Sequence, residues 1–253
     1  MSVKSGISAD NEWLSRCEDF EQSVLRYKSV RFSRFVTPHD LAIFKTHFKP
    51  SPFVSVKIFG GADDTERNMI GFFPDFLEGT NEDFPITPLL IENVSGMTHR
   101  DILGSVLGLG IKREMTGDIF VDENIAVLMC DDSIRDFLLF NLKTVGRKKV
   151  EVSVLDESTK ISLTHAFVLE RRVVSSLRLD AVVCSMTGLS RSEASNAIGA
   201  ENVSVNFCVY KDTSKKLSEG DVVSIKHHGR YVLESVDGET KKGRLAIIIK
   251  KFV

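Results

Sequence analysis

The residues best equipped to hold a ligand lie in the last third of the chain: Arg178, the run Ser190-Arg191-Ser192, then Lys211, Lys215, Lys216 and Arg230. Ser190 is followed three residues later by Glu193, the spacing of a capping box, so a helix is expected to begin at Arg191. This puts a cation in the first helical turn, where the positive end of the peptide dipole disfavours it by roughly 0.3–1 kcal/mol. An arginine placed against its own helix is read as working outside it. Free N–H groups at a helix start, a serine hydroxyl and a guanidinium fork together suit a phosphate oxygen.

Charge points to the same third. The chain has 253 residues, 42% hydrophobic and 27% charged, with a net charge of -2 that hides regions of opposite sign. Residues 1–80 balance at -1, residues 81–170 at -6 and residues 171–253 at +5. A basic terminus can lie along a phosphate backbone and release its counterions, whereas an acidic middle cannot. No apolar window is long enough to span a membrane and no secretory h-region is visible, so a cytoplasmic protein is expected. Cys17, Cys130, Cys184 and Cys208 stand far apart, which reads as buried free thiols rather than zinc or redox chemistry. No metal and no cofactor is expected.

These residues need a scaffold. Trp13, Leu14, Cys17, Phe20, Val24, Leu25 and Tyr27 recur at helical spacing, and Thr37-Pro38-His39-Asp40 opens a second helix that ends before Pro50. Strand-like runs follow at Phe53–Phe59 and Met69–Phe73, so residues 1–79 are read as a small α+β domain. Glu66-Arg67, between those strands, is read as a solvated loop salt bridge, with a functional pair as the alternative. Next come a strand over Phe84–Val94, a helix over Thr98–Leu109, strands at Asp118–Val121 and Ile125–Cys130, a helix over Asp132–Val145 and a strand at Val150–Leu155. The order β-α-β-β-α-β is the split βαβ, ferredoxin-like arrangement shared with RNA recognition motifs. Ile125–Cys130 carries no aromatic, so stacking of bases on this sheet is not expected. The fold class is therefore α+β in three small domains: residues 1–79, the ferredoxin-like or RRM-like domain with its connection at 80–172, and 173–253. Ile161–Val174 either extends the middle domain or connects it to the last.

The last domain has a pattern of its own: Ser176-Leu177-Arg178-Leu179-Asp180, Gly188-Leu189-Ser190-Arg191-Ser192-Glu193-Ala194, Val203-Ser204-Val205-Asn206 and Glu219-Gly220-Asp221. Two short helices, a tight hairpin and a Gly-Asp turn launching a strand that ends in His227-His228-Gly229-Arg230 resemble the S4 RNA-binding domain. With His99-Arg100-Asp101-Ile102-Leu103-Gly104, Gly108-Leu109-Gly110-Ile111-Lys112-Arg113-Glu114 and Gly117-Asp118-Ile119, the chain from Pro38 onward resembles the YlmH family. His99, Arg100 and Asp101 point about 100° apart on a helix and cannot face one substrate. Gly108-Leu109-Gly110 follows a helix, not a strand, and lacks the Gly-Lys-Ser/Thr ending of a phosphate loop. The plain reading is that, with Thr98 as a possible cap, Asp101 and His99 cap and brace the helix and the glycines allow close packing and a positive φ; the alternative is a secondary RNA contact by Arg100, Lys112 and Arg113.

The resemblance implies a noncatalytic RNA-binding protein of structured rRNA and tRNA, on the large ribosomal subunit with peptidyl-tRNA during rescue of stalled translation. It implies that Arg178, Ser190, Arg191 and Ser192 face the RNA backbone, with Lys211, Lys215, Lys216 and Arg230 widening the basic surface. Two features depart from the family pattern: Asn206-Phe207 replaces Asn-Gly in the hairpin, and Glu201 puts an acid near the contact face. An alternative is an RNA-modifying enzyme, pseudouridine synthase-like or methyltransferase-like, with Asp101 or Asp118 as acid; no methyl-donor loop, nucleotide signature or metal spacing supports it. A third is a division-linked adaptor that binds protein through its acidic middle domain.

Overall fold

The computed structural model describes residues 2–63, 65–156, 167–240 and 243–252, in two compact units, Met1–Thr164 and His165–Val253.

In the first unit the amphipathic N-terminal pattern forms helix α1 (Ser2–Tyr27), followed by the short strand β1 (Arg31–Phe32) and helix α2 (Pro38–His47). Thr37 caps α2 in a complete capping box with Asp40, and Pro38 fills the first turn. Strands β2 (Val54–Phe59) and β3 (Met69–Pro74) pair antiparallel, and β1 joins on the far side of β3. Every residue of β3 is buried. Because side chains alternate across a strand, Ile70 and Phe72 pack toward α1 and α2 with Cys17, Val24 and Phe44, while Met69 and Phe73 face the other way.

The expected β-α-β-β-α-β order is realised by β4 (Ile86–Glu92), α3 (His99–Gly108), β5 (Thr116–Val121), β6 (Ile125–Asp131), α4 (Asp132–Asn141) and, after an added hairpin, β9 (Glu151–Val154). The sheet order β5-β6-β4-β9, all antiparallel, is the ferredoxin-like one. The second helix stops at Asn141 instead of Val145, because residues 144–149 turn back as the hairpin β7 (Thr144–Val145) and β8 (Lys148–Lys149), with Gly146 at φ 58. One sheet face carries Leu89, Ile91, Ile119 and Leu128 against the helices. The opposite face, where an RNA recognition motif stacks bases, is covered: Phe120, Val127 and Met129 pack against Phe35, Met69, Phe73 and Phe84. Burial, more than the missing aromatics of β6, removes this face from base stacking. The β5 aromatic, Phe120, is itself only 4% exposed.

The second unit begins with β10 (Phe167–Val174), so that part of the ambiguous connection belongs to the last sheet, paired along its length with β15 (Leu245–Phe252). Residues 157–166, and with them Ile161, lie outside the described residues. Helices α5 (Leu179–Thr187) and α6 (Arg191–Gly199) follow, then β11 (Val203–Val205), β12 (Cys208–Val209), β13 (Val222–Ile225) and β14 (Gly229–Glu239). The sheet has six strands, in the order β10-β15-β14-β13-β11-β12, and is larger than the sequence pattern suggested. The strand β13 ends at Ile225; residues 226–228 form the turn into β14, so His227 and His228 are turn residues. Leu179, Val182, Met186, Ala194 and Ile198 of the helix pair share one core with Val205, Val223, Leu233 and Ile247 of the sheet.

Candidate nucleic-acid interface

Helix α5 ends at Gly188, in the left-handed conformation at φ 77, and the chain reverses into α6. The two helices pack together, and the side chain of Arg191 at the start of α6 reaches Asp180 in the first turn of α5. Arg178 is the N-cap residue of α5 and makes no side-chain cap bond; Arg191 is the first residue of α6. Between them sits Asp180, its side chain 7% exposed. Arg178 donates to this carboxylate from Nε and Nη2, both at 3.2 Å, and Arg191 donates from Nε at 3.4 Å and Nη2 at 3.2–3.3 Å. The backbone N–H of Ala181 donates to it as well, at 2.8 Å. Burial alone would raise the Asp180 carboxyl; the hydrogen bonds from Arg178 and Arg191, the Arg191 charge and the Ala181 N–H outweigh it and hold the group below its ordinary value.

Two cations on one anion leave a net positive charge. Both guanidinium groups remain at the surface, with 39% of the Arg178 and 54% of the Arg191 side chain exposed. Among the described residues Nη1 of each makes no hydrogen bond, so the clamp fixes the forks while leaving donors for a phosphate. Asp180 was legible as part of the motif but not as the group that orients both arginines.

Ser190 caps α6: its Oγ accepts the Glu193 N–H at 3.3 Å and Glu193 Oε2 accepts the Ser190 N–H at 2.8 Å. The Ser192 hydroxyl lies 3.1 Å from that of Ser190. The Ser190 hydroxyl and backbone N–H hold the Glu193 carboxyl below its ordinary value. Ser190 is therefore committed to the helix start, and the exposed Ser192 hydroxyl is the freer of the two.

The lysines divide. The segment bearing Lys215 and Lys216 runs beside Arg178, with the Leu179 N–H donating to the Lys215 carbonyl at 2.8 Å and Arg178 bridged to Lys216. Lys215 Nζ lies 4.6 Å from the centroid of Tyr210. Lys211 instead pairs with Glu201 at 2.7 Å, so the acid that departs from the family pattern offsets that charge. Arg230 is carried on the sheet, its guanidinium 4.6 Å from the centroid of Phe252. The hairpin β11–β12 forms despite Phe207: both Asn206 (φ 48) and Phe207 (φ 66) adopt the left-handed turn conformation. Asn206 is pinned by its side-chain bonds with Asp221 Oδ1 at 2.7 Å and the Val222 N–H at 2.9 Å.

The middle-domain segment resolves differently. Thr98 and Asp101 form a capping box; Thr98, not His99, is the cap, and His99 and Arg100 are exposed. Gly110 has the expected positive φ of 84, but Gly108 faces open space, so close packing does not explain it. Gly117 is required by packing, since a Cβ there would meet the Phe35 ring at 2.6 Å. Lys112 is exposed. Arg113 turns inward: its Nη1 donates to the Thr116 carbonyl and hydroxyl, each at 2.7 Å, and to the Gly117 carbonyl at 3.1 Å. Burial, reinforced by the Arg67 charge, pushes its guanidinium down to about 10, against the pull of Asp118. Arg67 is no solvated loop residue either, donating to the Thr116 carbonyl at 3.3 Å and the Phe35 carbonyl at 3.1 Å. Asp118 is buried and accepts the backbone N–H groups of Glu66 and Arg67. Asp101 and Asp118 thus both have structural work.

Burial pushes the thiols of Cys17 and Cys130 up to about 12, which keeps them protonated and unreactive near neutrality. Among the described residues no group of three or more His, Cys, Asp or Glu is placed to hold a metal ion, and no helix is long and apolar enough to cross a membrane.

Residues 80–159 match the family described as "Putative RNA-binding domain in YlmH", and residues 177–223 match the S4 domain. The chain thus carries a match to the RNA-binding domain described for YlmH together with an S4 domain. It is 26% identical over 245 residues to the "Ribosome-associated protein quality control protein P2" of Bacillus subtilis, covering 96% of this chain and 95% of that relative. Among solved structures it is similar to the "Cell division protein ylmH from Streptococcus pneumoniae", with a TM-score of 0.51 and 25% identity over 61% of this chain and 95% of that one. The S4 match spans the Arg178–Asp180–Arg191 clamp, and the match to the RNA-binding domain begins just before β4.

Proposed function

We propose that the protein binds structured RNA of the large ribosomal subunit together with peptidyl-tRNA, and acts without catalysis in the rescue of stalled translation. The observation that carries the reading is the clamp: two half-exposed arginines held side by side on a single carboxylate, with Lys215 and Lys216 adjacent, inside an S4 domain. The similarity to a relative named for ribosome-associated quality control, nearly end to end, supports the setting and with it a cytoplasmic location. Rigid forks on a helix pair read the spacing of phosphates, so recognition rests on RNA shape, as suits A-form helices whose major groove is too narrow to read. The acids once eligible for catalysis, Asp101 and Asp118, are engaged in a helix cap and a backbone clasp, which favours binding over chemistry.

The test is co-sedimentation with purified large subunits, with and without peptidyl-tRNA, across a salt series. Arg178→Ala with Arg191→Ala is expected to weaken binding by about ten-fold or more and to flatten its salt dependence. Arg191→Lys, which keeps charge but loses the fork, is expected to fall between. Binding by the double variant equal to that of the parent, at every salt concentration, would refute the reading. A mass change in RNA incubated with the protein would refute the noncatalytic part alone.

A further inference from the structure

The acidic middle domain carries one concentrated positive feature. The hairpin β7–β8 sets Arg147, Lys148 and Lys149 beyond the end of α4, with Lys143 between the hairpin and the last helical turn. All four are exposed. On the same helix, one turn apart, Phe137 and Phe140 point to solvent, 45% and 77% exposed, and neither belongs to a hydrophobic core of the unit. A single exposed apolar residue is ordinary. An exposed Phe140 ring beside Lys143, which lines one hollow with Lys149, within a stretch whose balance is -6, is a combination that internal packing does not require.

The hairpin is anchored through backbone-directed bonds. Lys148 Nζ donates to the Ser95 carbonyl at 2.6 Å, the Gly146 N–H donates to Ser105 Oγ at 3.2 Å, and Lys143 Nζ donates to the Leu139 carbonyl at 3.0 Å while lying 5.9 Å from the Phe140 ring centroid. Among the described residues Arg147 and Lys149 form no ion pair. An open hollow of about 380 Å³ lies at the base of the hairpin, lined by Asn93, Lys143, Thr144, Lys149, Val150 and Glu151, with Glu151 its one carboxylate.

We propose that this surface is a second RNA site, for a single-stranded segment: an unpaired base stacks on Phe140 and the neighbouring phosphates lie against Lys143, Arg147 and Lys149. An aromatic platform with flanking cations is how unpaired nucleotides are held, because every base offers a π-face and every linkage a charge. The domain would then bind RNA with its helix and hairpin side, the sheet face being covered. Unpaired cations favour a polyanion over an apolar protein partner. The inference rests on the chain being an RNA binder, but not on the S4 face.

The experiment uses the full chain with a fluorescein-labelled oligouridine as probe, read by anisotropy, in a background carrying Arg178→Ala and Arg191→Ala. That background is expected to retain salt-dependent binding. Adding Phe140→Ala should weaken it about ten-fold. Phe140→Leu should do the same and Phe140→Trp should restore it, while Arg147→Glu with Lys149→Glu should lower affinity independently. All are exposed positions, and matched thermal transitions check the fold. No oligouridine binding in the background, equal binding after Phe140→Ala, or full binding by Phe140→Leu, which would mark an apolar protein-docking patch, overturns the proposal. The S4 reading is judged separately on large subunits, so either can fail alone.

Discussion

Each unit contains two arginines gathered around one aspartate, and the two clusters do opposite things. In Arg178–Asp180–Arg191 the carboxylate takes both guanidinium groups and leaves them half outside. In Arg67–Asp118–Arg113 the carboxylate is taken by backbone N–H groups, and the guanidinium groups turn inward onto the carbonyls of Phe35, Thr116 and Gly117. The residue types are the same. What differs is whether unpaired carbonyls lie within reach of the arginine: where they do, the cation satisfies the interior, and where they do not, it stays available to a ligand.

Five substitutions probe the two units, the first four of them that contrast, beginning with the largest effect. Asp118→Ala strands the Glu66 and Arg67 N–H groups in a buried site and should destabilise the first unit by about 3 kcal/mol in urea unfolding. Arg113→Ala removes the guanidinium bonds to the Thr116 carbonyl and hydroxyl and to the Gly117 carbonyl, leaving Arg67 Nε on the Thr116 carbonyl, at about 2 kcal/mol, without changing the salt dependence of RNA binding; Arg191→Ala should lower that logarithmic slope by roughly 0.7–0.9. If Arg113→Ala lowered the slope as well, the contrast would break. Asp180→Asn should cost the second unit about 1 kcal/mol near neutral pH, discounted because both arginines reach water. The folded Asp180 carboxyl titrates below its ordinary 3.8, so its contribution is complete above that pH and fades as pH falls through the lower folded value. Parent and variant unfolding curves should therefore converge in acid. Phe207→Gly relieves a bulky residue at φ 66 and should stabilise the second unit by about 0.5 kcal/mol, seen as a raised thermal midpoint.

How much of this was legible beforehand depended on how local the signal was. The helix starts at Thr37, Thr98 and Ser190 follow from cap and acid three residues apart, and all three form capping boxes. The ferredoxin-like order followed from alternation and length. Less legible was anything settled across long separations. Glu66-Arg67 looked like surface charges because the carbonyls and carboxylate that hold them come from β5 and the segment before α2, whereas Arg113 turns onto Thr116 and Gly117 close by in the chain, in a turn whose burial depends on distant elements. The hairpin at 144–149 was absorbed into a helix because Leu142 and Val145 continue the helical spacing, and Gly146 was the one sign against it. Strand β15 was underestimated because one of its two partners, β10, lies far away in the chain, and the ladder it forms with its neighbour β14 is broken by register shifts.

The buried strand β3 has a practical consequence for anyone dissecting the molecule. A fragment beginning at residue 80, where the matched RNA-binding domain starts, would strip Phe35, Met69 and Phe73 from the sheet and leave Phe84, Phe120, Val127 and Met129 facing water. Such a piece should aggregate on expression, whereas one that keeps the whole first unit should remain soluble. Strand β3 and the segment before α2 thus serve the matched domain as a permanent lid.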